Sequence, residues 1–449
     1  MAGGENIPID ADDRAARPAS AFDSHHPPSR ELIDQCVHCG FCLSACPTYV
    51  LWGEEADSPR GRIYLMKMAS DGSAAMTPEW VGHFDACLGC MSCMTACPSG
   101  VDYGKLIEAT RAQIERAHPR SFFDRLHRRI LFSVLPRPDR LRVLRGFVAF
   151  YQSGLQTLVR KSGVPKLLPA RLRSMEALLP KPGARNEISE VTAAASPRRA
   201  RVGLLLGCVQ REFLSEINAA TVRVLAAEGC EVVAPAAQPC CGALLLHAGE
   251  ERPAVALAKQ MIDAFEAANV DAIITNAGGC GSCLKEYAHL LRDTNYGSRA
   301  KAFSEKCRDV AEFLEELGPR ATRHPLPLRA AYHDSCHLQH AQRVCAQPRS
   351  LLSAIPGLEL LEIPESAICC GSAGIYNLVQ PETAGELADR KANLIAPLNA
   401  DAVATGNPGC ILQMRSALAR NGQTTPVLHT IQLLDASIRN TGSLENANR

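Results

Sequence analysis

Two short stretches of the sequence carry the same arrangement of cysteines: CVHCGFCLSACPTY at residues 36–49 and CLGCMSCMTACPSG at residues 87–100. In each stretch three cysteines are separated by two residues, and a fourth follows after three more residues with a proline directly behind it. Three thiols on one tight loop can surround a single metal centre. Gly40 and Gly89 suit such a loop, because glycine adopts left-handed backbone angles without strain. The repeated pattern therefore predicts two metal centres.

The spacing C-x2-C-x2-C-x3-C-P is that of bacterial ferredoxins, in which each motif gives three thiolates to one 4Fe–4S cluster and its last thiolate to the other. The last cysteine is expected to start a helix that leads away from the loop. The exchange assigns cluster I to Cys36, Cys39, Cys42 and Cys97, and cluster II to Cys46, Cys87, Cys90 and Cys93. Zinc is the alternative, but a zinc site favours two C-x2-C pairs without the C-x3-C-P ending. Two complete copies favour iron–sulfur clusters.

The residues between the two motifs include the stretch SPRGRIYLMKMAS, which predicts a helix. Ser58 is a suitable N-cap and Pro59 a suitable first-turn residue. Its apolar residues form no single stripe, which a helix buried on several sides tolerates. We therefore predict a helical two-cluster ferredoxin-type module over residues 31–115. Arg60 and Arg62 either lie near cluster I and raise its potential, or are solvated.

The composition limits the class of protein. The chain has 449 residues and 20 cysteines, which is too long for a small disulfide-rich secreted domain, so the cysteines are expected to act as thiolates in the cytoplasm. The net charge of +1 argues against a nucleic-acid partner held by overall charge. Residues 1–30 contain acidic residues and no apolar run, so we predict a disordered tail rather than a signal peptide. Without an apolar run of about 18 residues, no transmembrane helix is predicted.

Residues 116–198 are predicted to form a basic helical connector followed by a linker. Between residues 120 and 173 the sequence has 13 Lys and Arg against two Asp, interleaved with aromatic and aliphatic residues. Pro136 and Pro138 are expected to divide the segment into separate helices. Such a segment either contacts an anionic membrane surface or an acidic partner, or packs on its own domains with a solvated basic face. In both cases we expect its basic residues to contribute to docking.

The second half of the chain contains an internal duplication. Three pairs of segments correspond at offsets of 128 to 130 residues: RVGLLLGCVQ at 201 with RAAYHDSCHL at 329, QPCCGALLL at 238 with AICCGSAGI at 367, and DAIITNAGGCGSC at 271 with DAVATGNPGCILQ at 401. Each unit alternates three short apolar strands with two helices, which predicts a parallel α/β domain. We assign repeat 1 to residues 199–320 and repeat 2 to residues 328–440. The fold class is thus α+β multidomain: a helical two-cluster ferredoxin module, then two duplicated α/β cysteine-rich domains.

The cysteines of each repeat follow the predicted strands, whose carboxyl ends share one edge of the sheet. The repeat 1 set consists of Cys208, Cys240, Cys241, Cys280 and Cys283. The repeat 2 set consists of Cys336, Cys369, Cys370 and Cys410. The position matching Cys283 is Gln413, and a neutral amide is a poor substitute for a thiolate on iron or zinc. Repeat 1 is therefore the stronger candidate for a third metal centre, and repeat 2 the weaker.

Other residues near these sets have simpler interpretations. Cys230, Cys307 and Cys345 lie outside the repeat pattern and are predicted to be packing residues. We expect three histidines to be locally hydrogen-bonded rather than metal ligands: His247, His333 and His337. Zinc competes with iron–sulfur in repeat 1, although a vicinal Cys–Cys pair makes an awkward tetrahedral chelate.

The paired CCG units resemble the cysteine-rich domains of the heterodisulfide reductase family. Two ferredoxin motifs followed by two such units resemble the iron–sulfur subunit of glycolate oxidase (glycolate dehydrogenase), over nearly all of the chain after residue 30. The stretches CCGSAGIYN at 369–377 and NPGCILQ at 407–413 are similar to the glycolate type, which implies that Gln413 is normal there. In heterodisulfide reductases the full set of five cysteines holds a noncubane 4Fe–4S cluster, which implies such a cluster in repeat 1.

The resemblance also implies a function. Flavin-binding partner subunits would oxidise glycolate to glyoxylate, and this chain would pass the electrons to a quinone-pool acceptor from a peripheral position on the inner face of the cell membrane. The alternatives are the iron–sulfur subunit of a lactate or glycerol-3-phosphate dehydrogenase, or a catalytic thiol–disulfide reductase. The sequence has no G-x-G-x-x-G after a strand and no clear acid–base constellation, so the flavin and the substrate are expected on the partners.

Overall fold

The computed structural model describes residues 20–163, 167–181, 183, 185–195 and 197–443. Of the predicted tail over residues 1–30, residues 1–19 lie outside the described residues. From residue 20 onward the chain is held by contacts. Phe22 is buried in the core of the first module, and Asp23 accepts a hydrogen bond from Arg116 at 2.8 Å. Ordered packing therefore begins before the predicted end of the tail.

The first module is helical, as its sequence predicts. Its elements are Arg30–Asp34, Pro47–Trp52, a 3-10 turn at Glu55–Asp57, Pro59–Ser70, Pro78–Ala86, Ser92–Ala96 and Tyr103–Ala117. Ser58 caps the helix predicted to follow it, because its Oγ accepts a hydrogen bond from the Gly61 N–H at 3.0 Å. This helix buries Ile63 and Met66 in the module's core.

The connector also forms helices. Its elements are Phe122–Val134, Pro138–Phe150, a π-type turn at Tyr151–Leu155, Gln156–Lys161 and Ala170–Ala177. Pro136 lies in the break between the first two helices, and Pro138 is the first residue of the second, a position where its missing N–H does no harm. Among the described residues, no helix is both long and apolar enough to cross a membrane.

Repeat 1 contains a five-stranded sheet with the order β1-β3-β2-β4-β5. The strands are β1 (Val191–Thr192), β2 (Ala200–Leu204), β3 (Cys230–Val233), β4 (Ala272–Thr275) and β5 (Cys307–Asp309). The short β1 pairs antiparallel with β3, and the other pairs are parallel, with Val202 beside Val232 and Ala272. The helices are Cys208–Phe213, Ser215–Ala227, Ala243–Leu246, Glu251–Ala268, Gly278–Lys285, Tyr287–Leu290, Gly297–Lys306 and Val310–Leu317.

Repeat 2 contains a four-stranded parallel sheet with the order β7-β6-β8-β9. The strands are β6 (Leu328–His333), β7 (Leu358–Glu362), β8 (Ala402–Thr405) and β9 (Val427–His429). Ala331 lies beside Leu361 and Val403 in the register. The helical elements are a π-type turn at His337–Ala341, Ala346–Ser353, Tyr376–Val379, Pro381–Ile395, a 3-10 turn at Ala396–Leu398, Pro408–Arg420 and Thr430–Ile438.

The two sheets share one parallel order, since β3-β2-β4-β5 corresponds to β7-β6-β8-β9. The sequence predicts three strands in each unit, but the structure has a fourth parallel strand, β5 or β9, and the sheet of repeat 1 also includes β1, which comes from the predicted linker before residue 199. The fourth strands have three residues each, too few to show a period of two. The single helix predicted after Cys208 is divided at Leu214, whose φ of −137° and ψ of 40° are not helical.

One hydrophobic core extends through both repeats. It includes Leu204 of β2 and Ala331 of β6. The helix Ser215–Ala227 packs against Thr430–Ile438. Where they meet, Arg223 pairs with the buried carboxylate of Asp435, with Nη2 and Oδ2 2.6 Å apart. Because the apolar cluster is continuous, the repeats form a single packed body.

The ferredoxin-type module packs on residues that follow the strands of both repeats. On repeat 1, Arg111 donates a hydrogen bond to the His247 carbonyl at 2.8 Å. A Cβ at position 249 would overlap the Arg111 carbonyl, so glycine permits this close approach. On repeat 2, the Tyr376 hydroxyl donates to the Ala86 carbonyl at 3.0 Å. The module therefore covers the edge where the cysteines of the repeats are found.

Candidate metal centres

The four thiols assigned to cluster I line one cavity. Cys36, Cys39 and Cys42 come from the first loop, and Cys97 comes from the end of the second motif. Cys39 is exposed, whereas the other three are partly buried. The cavity therefore lies at the surface of the module, and we call it the outer cavity.

The four thiols assigned to cluster II line a second cavity, the inner cavity. Cys46 comes from the first motif, and Cys87, Cys90 and Cys93 come from the second. All four are buried. Cys93 lines both cavities, so the two lie side by side. Each cavity is lined by its four assigned thiols, which is the donor set of a 4Fe–4S cluster, and Cys93 is a fifth thiol at the outer cavity; metal binding by them stays a prediction.

Left-handed backbone angles shape both loops. His38 and Gly40 have φ values of 54° and 86° in the first loop, and Gly89 and Met91 have 63° and 62° in the second. A Cβ at Gly40 would lie 2.7 Å from Nη1 of Arg60, a flexible side chain that can move, so it is the φ of 86° that requires glycine here. The glycines of the motifs are thus needed for the turns, as the sequence indicates.

The ends of the two motifs differ. Cys46 is the N-cap of the helix Pro47–Trp52, which leads away from the loop as predicted. Cys97 instead follows the end of the short helix Ser92–Ala96, and the next helix begins only at Tyr103. The expectation of a helix directly after Cys97 is wrong, since the chain turns at this point before entering that helix.

The two arginines of the first module lie at different cavities. Arg60 lines the outer cavity and pairs with Glu55, with Nε and Oε1 2.6 Å apart. Arg62, expected either near cluster I or in solvent, lines the inner cavity and is only 1% exposed. Its guanidinium donates to Thr48 Oγ1 at 3.2 Å and pairs with Asp57 at 3.1 Å. The sequence could not distinguish these positions, because both side chains start from the same turn of one helix.

Positive charge lowers the pKa of one thiol at the inner cavity. Burial alone would raise the pKa of the Cys87 thiol, but the guanidinium groups of Arg62 and Arg111 hold this pKa below its ordinary value. Burial raises the pKa of Cys90 and of Cys93, which lack such partners. The thiolate is the form that binds a metal, so the two arginines favour the charge state that the centre requires.

The five cysteines of repeat 1 come together after the strands. Cys208 Sγ and Cys240 Sγ are 3.5 Å apart, and Cys283 Sγ lies 3.5 Å from the Cys241 carbonyl oxygen. The thiol of Cys280 contacts that of Cys241. Burial raises the pKa of Cys283, so a metal would have to supply the charge that ionises this thiol. Five thiols exceed the four ligands of a tetrahedral ion, so the set fits a cluster better than one zinc.

The cysteines of repeat 2 also come together, and with them a histidine. Cys336 Sγ and Cys369 Sγ are 3.8 Å apart. The ligand atoms of His333, Cys370 and Cys410 all lie within 4.8 Å of one another. Hydrogen bonds with the neighbouring thiols, Cys369 first, hold the pKa of Cys370 well below its ordinary value. His333, predicted to be a locally hydrogen-bonded residue, interacts with the Cys370 thiol and makes no well-aligned hydrogen bond among the described residues.

Gln413 stands where repeat 1 has its fifth cysteine, and its side chain is fully used elsewhere. Its Oε1 accepts a hydrogen bond from Asn377 Nδ2 at 2.9 Å, and its Nε2 donates to the Ala384 carbonyl at 3.0 Å. Gln413 is buried. It therefore joins two neighbouring segments of repeat 2 and does not replace the missing thiolate.

His337 lies at the junction of three cysteine sets. Its Nε2 is 2.9 Å from the Gly89 carbonyl oxygen in the loop of the inner cavity, and its Nδ1 is 3.0 Å from Ser282 Oγ in repeat 1. It also directly follows Cys336 of repeat 2. The ring of His247 contacts that of His337 edge to face, and its Nδ1 lies 2.8 Å from Oε1 of Glu108. These long-range contacts have no local sequence signal, so the sequence does not predict the junction.

The three cysteines outside the repeat pattern are packing or locally hydrogen-bonded residues, although Cys307 shares a hydrophobic cluster with Cys283 of the repeat 1 set. Cys230 and Cys307 are buried in strands β3 and β5 and belong to the hydrophobic core. Cys345 Sγ donates to the Gln339 carbonyl at 3.6 Å. None of the three lines either cavity. Their positions are those of packing residues.

Three known domain families match this chain. Residues 32–101 match the family described as 4Fe-4S dicluster domain, and residues 202–285 and 330–415 match the cysteine-rich domain. Residues 123–179 match the linker region of the glycolate oxidase iron–sulfur subunit. The matches cover the ferredoxin-type module, the connector and both repeats.

Whole-chain relatives share this order of domains. The chain is 41% identical over 415 residues to a probable glycolate oxidase iron–sulfur subunit of Bacillus subtilis (strain 168), a match that covers 90% of this chain and 93% of that one. The chain belongs to the family of glycolate oxidase iron–sulfur subunits. A second member, from Escherichia coli (strain K12), is 36% identical over 91% of this chain and 94% of its own. The resemblance predicted from the motifs is thereby confirmed, and with it the place of the chain in an oxidoreductase complex.

The family has more distant relatives with other names. One of the subunits of the fumarate reductase (CoM/CoB) of Methanothermobacter marburgensis is 29% identical over 89% of this chain and 71% of its own. Lactate utilization protein A of Geobacillus kaustophilus is 33% identical, but it matches only 53% of this chain. Related chains thus occur in proteins named for different substrates.

Proposed function

We propose that this chain is the electron-transfer subunit of a flavin-dependent glycolate dehydrogenase. Flavin-binding partner subunits oxidise glycolate to glyoxylate, and this chain carries the electrons to an acceptor at the inner face of the cell membrane. One observation carries the proposal: two four-thiol cavities lie side by side, one at the surface and one buried against the repeats. The substrate comes from the names of the two whole-chain relatives.

The donor sets fit the clusters that the family implies. Cluster I would be held by Cys36, Cys39, Cys42 and Cys97, and cluster II by Cys46, Cys87, Cys90 and Cys93. When bound, such clusters accept and release single electrons. The chain's own residues set the conditions: the buried Arg62 and the partly buried Arg111 favour thiolates at the inner cavity, while the loop around Cys39 leaves the outer cavity open.

The outer cavity is the side on which a partner subunit would dock. Beside the exposed Cys39, the side chains of Val37 and Phe41 are 68% and 67% exposed. Exposed apolar residues next to a redox centre suit a protein contact that excludes water. The inner cavity, in contrast, is enclosed by the module and repeat 2. We therefore place electron entry at the outer cavity.

Repeat 1 fits a third cluster. Its five thiols form one continuous set next to the Gly278–Lys285 helix, and Ser282 of this helix contacts His337 at the junction. A noncubane 4Fe–4S cluster on Cys208, Cys240, Cys241, Cys280 and Cys283 is therefore part of the proposal. The position of His337 between the inner cavity and repeat 1 would keep the two centres at a fixed separation.

The connector has two faces, and one of them suits a membrane. Leu131 and Leu141 are 3% and 1% exposed. Leu141 packs in the core of repeat 1, and Leu131 packs against residues of both repeats. The opposite face exposes a set of apolar side chains: Phe122, Phe123, Leu126, Ile130, Val143, Leu144, Phe147 and Phe150. Exposed arginines at 125, 129 and 140 lie on the same helices. Aromatic side chains with basic neighbours favour the interface of an anionic bilayer.

Activity of the reconstituted complex tests the proposal. The chain is expressed anaerobically with its flavin-binding partners, and glycolate-dependent reduction of a quinone analogue is measured. We expect Cys97→Ser to reduce this rate more than tenfold, because one thiolate of cluster I is lost, while glycolate still reduces the flavin. Cys345→Ser, a packing cysteine, serves as the matched control. Turnover of lactate or glycerol-3-phosphate instead of glycolate would favour the related dehydrogenases, and disulfide reduction without flavin partners would favour the reductase.

Vesicle binding tests the membrane face. The complex is sedimented with vesicles of phosphatidylglycerol and phosphatidylcholine at two salt concentrations. The triple variant Phe123→Glu/Phe147→Glu/Phe150→Glu should bind at least tenfold less, because it places three charges on the apolar face. Val191→Glu, at a half-exposed valine on the edge strand β1, is the control. Equal binding of wild type and triple variant would exclude this apolar face of the connector as the membrane contact. Loss of a partner subunit from the complex in the triple variant would show that the face binds protein.

A further inference from the structure

The carboxyl end of β6 places an imidazole in the interior of repeat 2 among thiols. His333 is 1% exposed, and its ring interacts with the Cys370 thiol but makes no well-aligned hydrogen bond among the described residues. Buried polar groups in folded proteins are nearly always paired, and a thiol is a weak partner, so a buried imidazole that faces thiols suits a metal ion. The groups that face it are the thiols of Cys370 and Cys410.

The geometry suits one ion. The ligand atoms of His333, Cys370 and Cys410 lie within 4.8 Å of one another. Around one tetrahedral zinc, with Zn–S of about 2.3 Å and Zn–N of about 2.0 Å, neighbouring ligand atoms are roughly 3.5 to 4 Å apart. The thiols of Cys336 and Cys369, 3.8 Å apart, lie in the same set.

Repeat 1 supplies an internal comparison. At the position matching His333 it has Leu205, a buried core residue, and where it has Cys283 repeat 2 has Gln413. Gln413 is bound to Asn377 and Ala384, so it takes no part in the set. Compared with repeat 1, repeat 2 therefore has one sulfur ligand fewer and one nitrogen ligand more at the same edge of the sheet.

We propose that repeat 2 holds a single zinc ion, with the imidazole of His333 and the thiolates of Cys370 and Cys410 as three ligands and a thiolate of the Cys336–Cys369 pair as the fourth. Imidazole and thiolate are the ligands that zinc prefers, and closed four-coordinate sites of this kind are structural. The ion would join β6, the Cys369–Cys370 turn and the helix Pro408–Arg420. Because Cys369 and Cys90 share one hydrophobic cluster, it would also stabilise the wall of the inner cavity without undergoing redox chemistry itself.

Metal analysis and zinc X-ray absorption on the full chain, purified without oxygen, test the site. We expect about one zinc per chain with three sulfur and one nitrogen neighbours. His333→Leu copies the residue of repeat 1 and should lower zinc at least tenfold, with iron, acid-labile sulfide and the EPR signals unchanged. His333→Cys should keep the zinc and change its shell to four sulfurs. His429→Asn, at another buried histidine of repeat 2, should keep both metal and shell.

The outcomes against the proposal are equally distinct. Wild-type chain without zinc, or zinc with no nitrogen neighbour, would overturn it. So would His333→Leu that keeps its zinc, or that loses about four irons, which would place a cluster on this set. If His333→Leu does not fold, the atoms around zinc in the wild type and in His333→Cys, seen by X-ray absorption, still decide whether His333 is a ligand. These measurements do not involve glycolate. The zinc site can therefore be refuted while the proposed function stands, and the proposed function can be refuted while the zinc site stands.

Discussion

Repeat 1 and repeat 2 share a strand order but differ in the chemistry at the ends of their strands. Repeat 1 combines five thiols with the apolar Leu205, whereas repeat 2 combines four thiols with His333. The substitutions lie in the few residues around one edge of each sheet, while the cores of both repeats remain one packed body. The comparison shows how duplication separates tasks: we propose that one copy takes part in electron transfer and the other holds a structural ion.

The largest expected difference is in metal content. Cys241→Ser should remove the third cluster, so iron falls from about twelve to about eight per chain and one EPR signal is lost. Cys370→Ser should remove zinc and leave iron unchanged. Elemental analysis, acid-labile sulfide and EPR on anaerobically purified protein measure both, with Cys345→Ser as control. Equal loss of iron in the two variants would mean that the repeats hold the same kind of centre.

The sequence predicted what depends on spacing and type of residue. The eight ferredoxin-type cysteines, the glycines of their loops and the duplication all follow from short local patterns, and the thiols assigned to each cluster line one cavity, with Cys93 at both. Gln413 marked repeat 2 as different for the same reason. A residue type at a matching position is visible before any fold is known.

Contacts between distant segments could not be predicted in this way. Nothing near His337 shows that it will bridge Gly89 and Ser282, and nothing in the helix after Ser58 shows which cavity Arg62 will enter. The three-residue strands β5 and β9 are defined by their neighbours in the sheet. The position of His333 among the thiols of repeat 2 is likewise a property of the packed interior and has no local signal.

The repeats should also respond oppositely to pH through the caps of their last helices. Asp309 caps the helix Val310–Leu317, and His429 caps Thr430–Ile438. Burial raises the pKa of Asp309 to about 7 and lowers the pKa of His429 to about 4. The raised carboxyl pKa gives stability that is present below about pH 4 and lost as the pH rises through 7. The lowered imidazole pKa gives stability that is present above about pH 6.5 and lost as the pH falls through 4.

Substitution of each cap separates the two effects. Between pH 4 and 7, each group changes the free energy of unfolding by up to about 1.4 kcal/mol per pH unit. Asp309→Asn, which can still cap, should therefore remove the part of the stability that falls with rising pH, and His429→Asn the part that falls with acid. Urea unfolding midpoints from pH 4 to 8 measure this. Parallel pH profiles for wild type and both variants would refute the assignment.

Gln413 provides a smaller contrast, in stability alone. Gln413→Ala leaves Asn377 Nδ2 and the Ala384 carbonyl without their partners, and an unsatisfied buried group costs about 1 to 3 kcal/mol. We expect a lower unfolding midpoint with zinc and iron contents unchanged. Gln413→Glu, whose carboxylate would face the Ala384 carbonyl with an acceptor and bury a charge, should lower the midpoint at least as much as alanine. A loss of metal in Gln413→Ala would instead make this residue a ligand.

The last contrast, of similar or smaller size, concerns the strand at the centre of each sheet. Gly203 of β2 matches Ala331 of β6, and a Cβ at Gly203 would lie 2.7 Å from the Phe265 ring. Gly203→Ala should therefore destabilise the chain by about 1 to 3 kcal/mol, although repeat 2 carries alanine at this position. Gly385→Ala is the control with the opposite sign: this helical glycine has no atom within 4 Å of the added Cβ, and alanine should stabilise by up to about 1 kcal/mol. Urea unfolding midpoints of the metal-loaded protein measure both. If Gly203→Ala leaves the unfolding midpoint unchanged, the Phe265 ring can move away from the added Cβ. The two repeats would then tolerate the same residue at the centre of their sheets.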